Sequence, residues 1–180
     1  SSSPVIFDAL TRGITEAGAD VDSMGLTTTP MTYYFTGKKG YACAVMITAS
    51  HNPKEYNGLK ISRKGALPVG SDSGLKTLEA MIAGELPPVA AVPGKINEVN
   101  FHDEYIEFYK EQLPCFDGLK VAVDCSNGMS SLFVRPLFGN AVDCIYEEID
   151  GTFPNHAPNP LEPEATLALR EKVKLGGYDI

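Results

Sequence analysis

The sequence lacks any apolar run near the ~20 residues that a membrane span needs, and its first residues lack the basic start and apolar block of a signal peptide. We therefore expect a cytoplasmic protein. Positive charge is also scarce, because 15 Lys and Arg face 23 Asp and Glu, which gives a formal net charge of −8. Such a chain has no long-range field that would draw it to nucleic acid or to an anionic membrane, so neither is an expected partner.

Cysteine is sparse and scattered. No two of the four cysteines have the gap of about two to four residues that is typical of a tetrahedral thiolate zinc site; they are Cys43, Cys115, Cys125 and Cys144. Three of them lie in apolar, strand-like runs. We interpret the cysteines as reduced, small core residues rather than as redox or metal-binding groups.

The rest of the composition is that of a folded globular protein. Hydrophobic side chains make up 43% and charged ones 21% of 180 residues, enough for one sizeable core or two small ones. These proportions exclude fibrous, collagenous and disordered chains. The 17 glycines and 13 prolines predict frequent turns between helices and strands.

Apolar spacing predicts helices interspersed with strands. Helices are expected from the first residues to Gly18, from Pro30 to Gly37 with Thr29 as the cap, and over 75–83, 102–113 and 164–174; strands are expected over 21–24, 41–48, 59–62, 119–125 and 142–149. The run 41–48 is apolar without alternation, which is typical of a strand buried on both faces and hence parallel. After Leu119 the order of strand, turn, helix and strand predicts a βαβ unit.

The predicted fold class is therefore α/β, with mixed, mainly parallel sheets flanked by helices in two incomplete βαβ-type domains. We place the first domain at 1–100, a connecting helix at 101–116 and the second domain at 117–180. The chain opens on a helix with no preceding strand, and residues 178–180 begin a strand that then stops. Three residues cannot form a stable central strand, so we interpret both ends as cut through a larger fold.

The densest chemistry lies in the segment Thr48–Lys60, which follows the predicted buried strand. The carboxyl end of such a strand is where open α/β sheets place their ligand crevices. The hydroxyl of Ser50 is a potential nucleophile or phosphate carrier there. Asn52-Pro53 and Asn57-Gly58 are turn formers, so we expect the segment to fold back and return Lys60 to the neighbourhood of Ser50, with Lys60 facing water or a cleft.

From the residues alone, a capped turn and a solvated lysine are favoured over a reactive site as the explanation of this segment. A Ser-His hydrolase is excluded on two grounds. Adjacent extended residues hold their side chains on opposite sides, so His51 is not expected within hydrogen-bond reach of the Ser50 hydroxyl, and the glycines of a nucleophile elbow are absent.

The segment Thr48–Lys60 resembles the active-site phosphoserine loop of the α-D-phosphohexomutases, and within them of the phosphomannomutase/phosphoglucomutase branch. Agreement continues in three further motifs, Gly25–Met31, Val123–Gly128 and Ile149–Pro160, so the resemblance covers nearly the whole chain. Family members are longer four-domain proteins. In them this stretch would run from inside domain 1 to inside domain 2.

The resemblance implies that phosphorylated Ser50 gives its phosphoryl group to a hexose monophosphate. The resulting hexose 1,6-bisphosphate would then return its other phosphate, so that 1-phosphate and 6-phosphate interconvert. Lys60 would be the general acid/base or charge stabiliser, and His51 a donor beside the phosphoryl group. Thr48 and Asn52 would shape the loop as substrate-binding residues.

Mg²⁺ is the cofactor that the resemblance implies, with Ser50, through its phosphate, as the metal-contacting position of this chain. The metal-binding aspartates of the family would follow just after the strand that begins at Tyr178, and its sugar- and phosphate-recognition loops belong to domains 3 and 4. An isolated chain is therefore expected to be inactive. Besides the hexose phosphate substrate, the expected partner is a second copy or the missing domains, through unpaired sheet edges.

A non-catalytic phosphosugar-binding or assembly module with the same fold is the alternative function. Two residues outside the segment also carry polar chemistry. Asp124 follows a predicted strand, and we interpret it as a turn cap rather than a ligand. We interpret His156, which lies in a proline-rich loop, as holding that loop by hydrogen bonds.

Overall fold

The structure, a computed structural model, describes residues 2–84, 88–114, 116 and 118–180. Its contacts divide the chain into a first unit, Ser2–Thr48 with Asn57–Asn100, and a second unit, Ala49–Tyr56 with Phe101–Ile180. The domain boundaries expected near residues 100 and 117 stay predictions. Within the described ranges, none of the helices has the length and apolar character that a membrane span requires.

The described part of the first unit contains three α-helices and five strands. They are α1 (Ser3–Glu16), β1 (Val21–Ser23), α2 (Thr29–Lys38), β2 (Cys43–Ile47), β3 (Leu59–Arg63), β4 (Leu67–Pro68), α3 (Leu75–Ala83) and β5 (Ile96–Glu98). Strands β1 and β5 pair in parallel, whereas β2, β3 and β4 form an antiparallel sheet. Helix α2 buries Met31 and Phe35 completely. Helix α3 has the bounds that the apolar spacing predicts.

The expectation for the run 41–48 is wrong in its details. Among the described residues β2 pairs only with β3, which is antiparallel to it, and the strand is half-buried, with Cys43 exposed. An apolar run does not reveal which neighbour a strand acquires, because pairing is a tertiary choice. Cys43 is therefore not a core residue, whereas Cys125 is 1% exposed and Cys144 is half-buried. Cys115 lies outside the described residues.

The N-terminus of α2 is capped one residue earlier than predicted. Thr28, not Thr29, has the extended backbone of a cap, and its hydroxyl oxygen accepts a hydrogen bond from the amide of Met31 at 3.4 Å. Thr29 is instead the first helical residue, which leaves Pro30 at a position where its missing N–H costs nothing.

The second unit contains α4 (His102–Lys110), β6 (Val121–Asp124), α5 (Val134–Phe138), β7 (Val142–Ile145) and α6 (Leu167–Gly176). Strands β6 and β7 are parallel, with α5 between them in the chain, which confirms the predicted βαβ unit. On the other side of β6, the amide of Ala122 donates to the carbonyl of Ile180 at 2.9 Å. Strand β6 is thus bonded on both edges, over a core of Val121, Cys125, Val134 and Val142.

A bidentate ion pair ties α5 to the end of β7. Arg135 donates through Nε and Nη2 to the two carboxylate oxygens of Glu147, at 2.6 and 2.8 Å, and through Nη1 to the carbonyl of Val142 at 2.9 Å. Two parallel bonds to one carboxylate are stronger and more directional than a single surface contact. They hold the pKa of Glu147 below its ordinary value.

We predict that stability falls as the pH drops through and below about 4.5, and that Glu147→Gln weakens this dependence. A carboxyl with a lowered pKa in the folded state contributes stability above its unfolded pKa and loses it as the pH falls through the folded pKa. Urea denaturation of both proteins between about pH 3 and 7 measures the difference. Glu79→Gln, on the exposed surface of α3, is the control. Parallel pH profiles for Glu147→Gln and the parent would contradict the assignment.

Candidate active site

Two consecutive reverse turns form the loop that carries Ser50. The amide of Asn52 donates to the carbonyl of Ala49 at 3.1 Å, and the amide of Tyr56 donates to the carbonyl of Pro53 at 3.0 Å. Ser50 is the second residue of the first turn and has a φ of 59°, in the left-handed region that non-glycine residues rarely adopt. The side chains of Ser50, His51 and Asn52 are all exposed.

The left-handed backbone brings the side chains of Ser50 and His51 together. The Ser50 hydroxyl oxygen lies 3.2 Å from Nδ1 of His51. The expectation that these two side chains point to opposite sides is therefore wrong, because it assumed an extended backbone at Ser50. A hydrolase triad remains unsupported. The elbow glycines are absent, and within the described part of the chain His51 makes no hydrogen bond with a carboxylate that would orient it.

Thr48 and Lys60 lie in the first unit, Thr48 directly after β2 and Lys60 on β3. The amide of Thr48 donates to the carbonyl of Gly58 at 2.9 Å, which extends the ladder in which Lys60 lies opposite Met46. The segment therefore folds back as predicted, and Lys60 is exposed. Because Ser50 belongs to the second unit, the closeness of Lys60 to Ser50 stays a prediction.

Asn57 holds the end of the loop, just before β3, by hydrogen bonds that the sequence does not reveal. Its amide nitrogen donates to the hydroxyls of Ser2 and Ser3 at 3.1 and 2.9 Å, and its amide oxygen accepts from the backbone amide of Gly58 at 2.9 Å. The start of α1 is thereby tied to a turn more than fifty residues away. The Asn-Gly pair signals a turn, but not this distant partner.

Asn127 organises the carboxyl ends of β6 and β7. Its backbone amide donates to the carbonyl of Tyr146 at 2.9 Å, and its backbone carbonyl accepts from the backbone amide of Asp150 at 3.0 Å. Its side chain donates to the carbonyl of Glu148 and accepts from the amide of Asn155, both at 2.8 Å. Asn127 is 6% exposed and has a φ of 52°. Four hydrogen bonds thus hold a strained residue at the edge where parallel sheets place their ligand crevices.

Asp124 and His156 form a second link at this edge. One carboxylate oxygen of Asp124 accepts from the amide of Ser126 at 2.7 Å, which confirms the predicted turn cap. The other lies 3.1 Å from Nε2 of His156, whose Nδ1 lies 2.8 Å from the carbonyl oxygen of Ala157. These contacts confirm that His156 holds its loop by hydrogen bonds.

Asp150, in the same loop, accepts two hydrogen bonds from Thr152. The backbone amide and the hydroxyl of Thr152 both donate to one carboxylate oxygen of Asp150 at 2.8 Å. These hydrogen bonds, the backbone one first, lower the pKa of Asp150. The carboxylate therefore serves a turn rather than a ligand. Among the residues that the structure describes, there is no cluster of three or more His, Cys, Asp or Glu side chains that could hold a metal, so they do not fit a magnesium site of their own.

The sequence of this chain matches a known protein family along most of its length. The sequence profile of phosphoglucomutase/phosphomannomutase alpha/beta/alpha domain I matches residues 1–86, and that of domain II matches residues 103–180. A phosphomannomutase from Salmonella montevideo is 34% identical, over 96% of this chain and 40% of that protein. The chain belongs to the phosphoglucomutase/phosphomannomutase family. A phosphomannomutase/phosphoglucomutase from Pseudomonas putida is 33% identical, over 99% of this chain and 38% of that protein.

The fold agrees with a solved member of the family. The crystal structure of a phosphoglucomutase/phosphomannomutase family protein from Burkholderia thailandensis matches with a TM-score of 0.84 and 28% identity, over 97% of this chain and 40% of that one. The predicted family and α/β class are thereby confirmed. This chain spans about 40% of the length of the relatives it matches.

We predict that Asn127→Ala lowers the free energy of unfolding by about 2–4 kcal/mol, and Asn127→Gly by about 1 kcal/mol less. Both variants lose the two side-chain hydrogen bonds, but alanine must also adopt a left-handed backbone. Urea denaturation measures both values. A glycine variant that is no more stable than the alanine variant would contradict the left-handed backbone at position 127.

Proposed function

We propose that Ser50 carries the phosphoryl group in a hexose phosphate mutase reaction, in which 1-phosphate and 6-phosphate interconvert through a hexose 1,6-bisphosphate. Family membership supplies the reaction class, because the relatives are named phosphomannomutase and phosphoglucomutase. The observation that supports Ser50 is its exposed hydroxyl on a tight turn, 3.2 Å from an imidazole nitrogen. A hydroxyl that carries a phosphoryl group must be exposed, because the phosphorus of the substrate has to reach its oxygen.

The transfer can be written with its atoms balanced. The Ser50 oxygen attacks one phosphorus of the bisphosphate, a bond from oxygen to phosphorus forms, and the bond from phosphorus to the sugar oxygen breaks. The serine proton passes to Nδ1 of His51, and the sugar oxygen receives a proton from a general acid, for which Lys60 is the proposed group. In the second half of the reaction the phosphoserine gives its phosphoryl group to the free hydroxyl oxygen of the isomeric hexose monophosphate. A bond from that oxygen to phosphorus forms, the bond from phosphorus to the Ser50 oxygen breaks, Lys60 accepts the proton of the sugar hydroxyl, and Nδ1 of His51 returns its proton to the Ser50 oxygen.

Positioning matters more than covalent chemistry in such a transfer, since the attacking and leaving oxygens must lie in line. Asn52 supports the position of Ser50 through its backbone amide, which closes the turn on Ala49. The amide of Thr48 closes the ladder on the carbonyl of Gly58, where the chain enters and leaves the loop. We therefore propose that Thr48 and Asn52 shape the loop around the substrate.

We predict that glucose 1,6-bisphosphate adds one phosphoryl group to the chain, at Ser50. Intact-mass and peptide mass spectrometry before and after incubation, with and without Mg²⁺, detect it. Ser50→Ala should abolish the addition, and Ser71→Ala, at another exposed serine, should not. A phosphate at any other residue, or equal labelling of Ser50→Ala, would contradict the proposal.

We predict that the 180-residue chain has no measurable mutase turnover by itself. Transfers of this class depend strongly on charge neutralisation, and one arginine contact can be worth about 10³–10⁵ in rate. The described residues contain no metal cluster of their own. Conversion of glucose 1-phosphate with Mg²⁺ and glucose 1,6-bisphosphate tests this, and a rate near that of a full-length mutase would refute it.

A non-catalytic assembly module is the second candidate, and one observation favours it. Helix α3 exposes an apolar stripe of Leu75, Leu78, Met81 and Ile82, with exposed fractions from 37% to 75%. Such a stripe is typical of a surface that another chain covers. A chain whose Ser50 cannot be labelled by glucose 1,6-bisphosphate would favour this function over the carrier.

A further inference from the structure

A cavity of about 220 Å³ lies within the second unit, between the turns around Ser50 and the proline-rich loop that follows β7. His51, Pro53 and Lys54 line one wall. Phe153, Ala157 and Pro158 line the other. The residue next to the proposed carrier therefore shares a cavity with a loop about one hundred residues later in the sequence.

Three hydrogen bonds hold the wall formed by this later loop. Asn155 donates to Asn127 at 2.8 Å, and the ring of His156 lies between Asp124 and the carbonyl of Ala157, at 3.1 and 2.8 Å. The side chains of His156 and Asp124 are only 10% and 9% exposed. An imidazole that is hydrogen-bonded at both nitrogens cannot rotate freely, so the adjacent backbone at Ala157 is held as well.

We propose that His156 is a positioning residue for the turn that carries Ser50 and His51. Anchored to Asp124 at the end of β6, it sets the wall of Ala157 and Pro158 and thereby shapes the side of the cavity that faces His51. His156 is not a catalytic residue, because its contacts are with Asp124, Ala157 and the ring of Tyr146 rather than with Ser50. The consequence for phosphoryl transfer rests on the proposed function, whereas the effect on His51 does not.

The three histidines of the chain provide the test. In His156→Ala only His51 and His102 remain, and their carbon-bound ring protons can be followed by NMR. His102 stacks on Phe133 at 5.9 Å in the same unit, so it reports whether that unit keeps its fold. We expect the His51 signals to shift and the His102 signals to stay. An unchanged His51 would overturn the proposal, and so would equal changes at both rings, which would mark a general loss of structure.

Removing one partner of a buried pair can unfold a small unit. Should His156→Ala not fold, Asp124→Asn weakens the same contact without changing the volume of the side chain. A shifted His51 with an unmoved His102 then supports the proposal, and an unmoved His51 refutes it.

A kinetic readout separates positioning from bulk stability. The saturating rate of Ser50 labelling by glucose 1,6-bisphosphate should fall about tenfold to a hundredfold in His156→Ala, as expected for a misplaced reacting group. His156→Gln, whose side-chain amide can still donate to Asp124, should recover part of the lost labelling rate. Equal rates in the parent and His156→Ala would contradict a positioning role. If the parent itself is not labelled, the proposed function fails, and the NMR comparison still decides the role of His156.

Discussion

The turn Ala49–Asn52 holds Ser50 at a φ of 59°, and the exposed hydroxyl beside His51 depends on that conformation. A left-handed serine costs about 1–3 kcal/mol and persists only where the surrounding chain imposes it. Here the surroundings are the hydrogen bond that closes the turn and the second turn that follows it at Pro53. With an extended backbone the serine and the imidazole would point apart, and neither could act on a proton of the other.

The same kind of strain recurs at the carboxyl ends of β6 and β7. Positive φ angles occur at Ser126, Asn127, Tyr146 and Phe153, none of which is glycine. Asn127 links these loops. Its side chain bonds the carbonyl of Glu148 and the side-chain amide of Asn155, and its backbone bonds the carbonyl of Tyr146 and the amide of Asp150. The packed βαβ unit therefore supports irregular loops at the carboxyl ends of its strands. In α/β proteins such loops commonly carry the functional residues, whereas the strands and helices hold them in place.

Much of the fold follows from sequence patterns, because apolar periodicity reports which face of an element is buried. It predicts α3, the βαβ unit of β6 and β7, and the exposed position of Lys60 on the returning strand. It does not predict the antiparallel partner of β2, since strand pairing joins residues that are distant in the chain. Nor does it predict the contact between Ser50 and His51, which depends on one backbone dihedral, or the partners of Asn57 in α1. The motif predicts which residues form the site, and only the three-dimensional structure gives the geometry of the turn that carries them.

The central claim is that the Ser50 oxygen is where phosphorus resides between two sugar oxygens. The most direct test is a crystal structure of the chain after exposure to glucose 1,6-bisphosphate. The account predicts a phosphoryl group on the Ser50 oxygen, an unchanged left-handed backbone at Ser50, and Nδ1 of His51 within hydrogen-bond distance of the modified side chain. An unmodified Ser50 beside a phosphorylated residue elsewhere, or a phosphorylated Ser50 with His51 turned away, would contradict it.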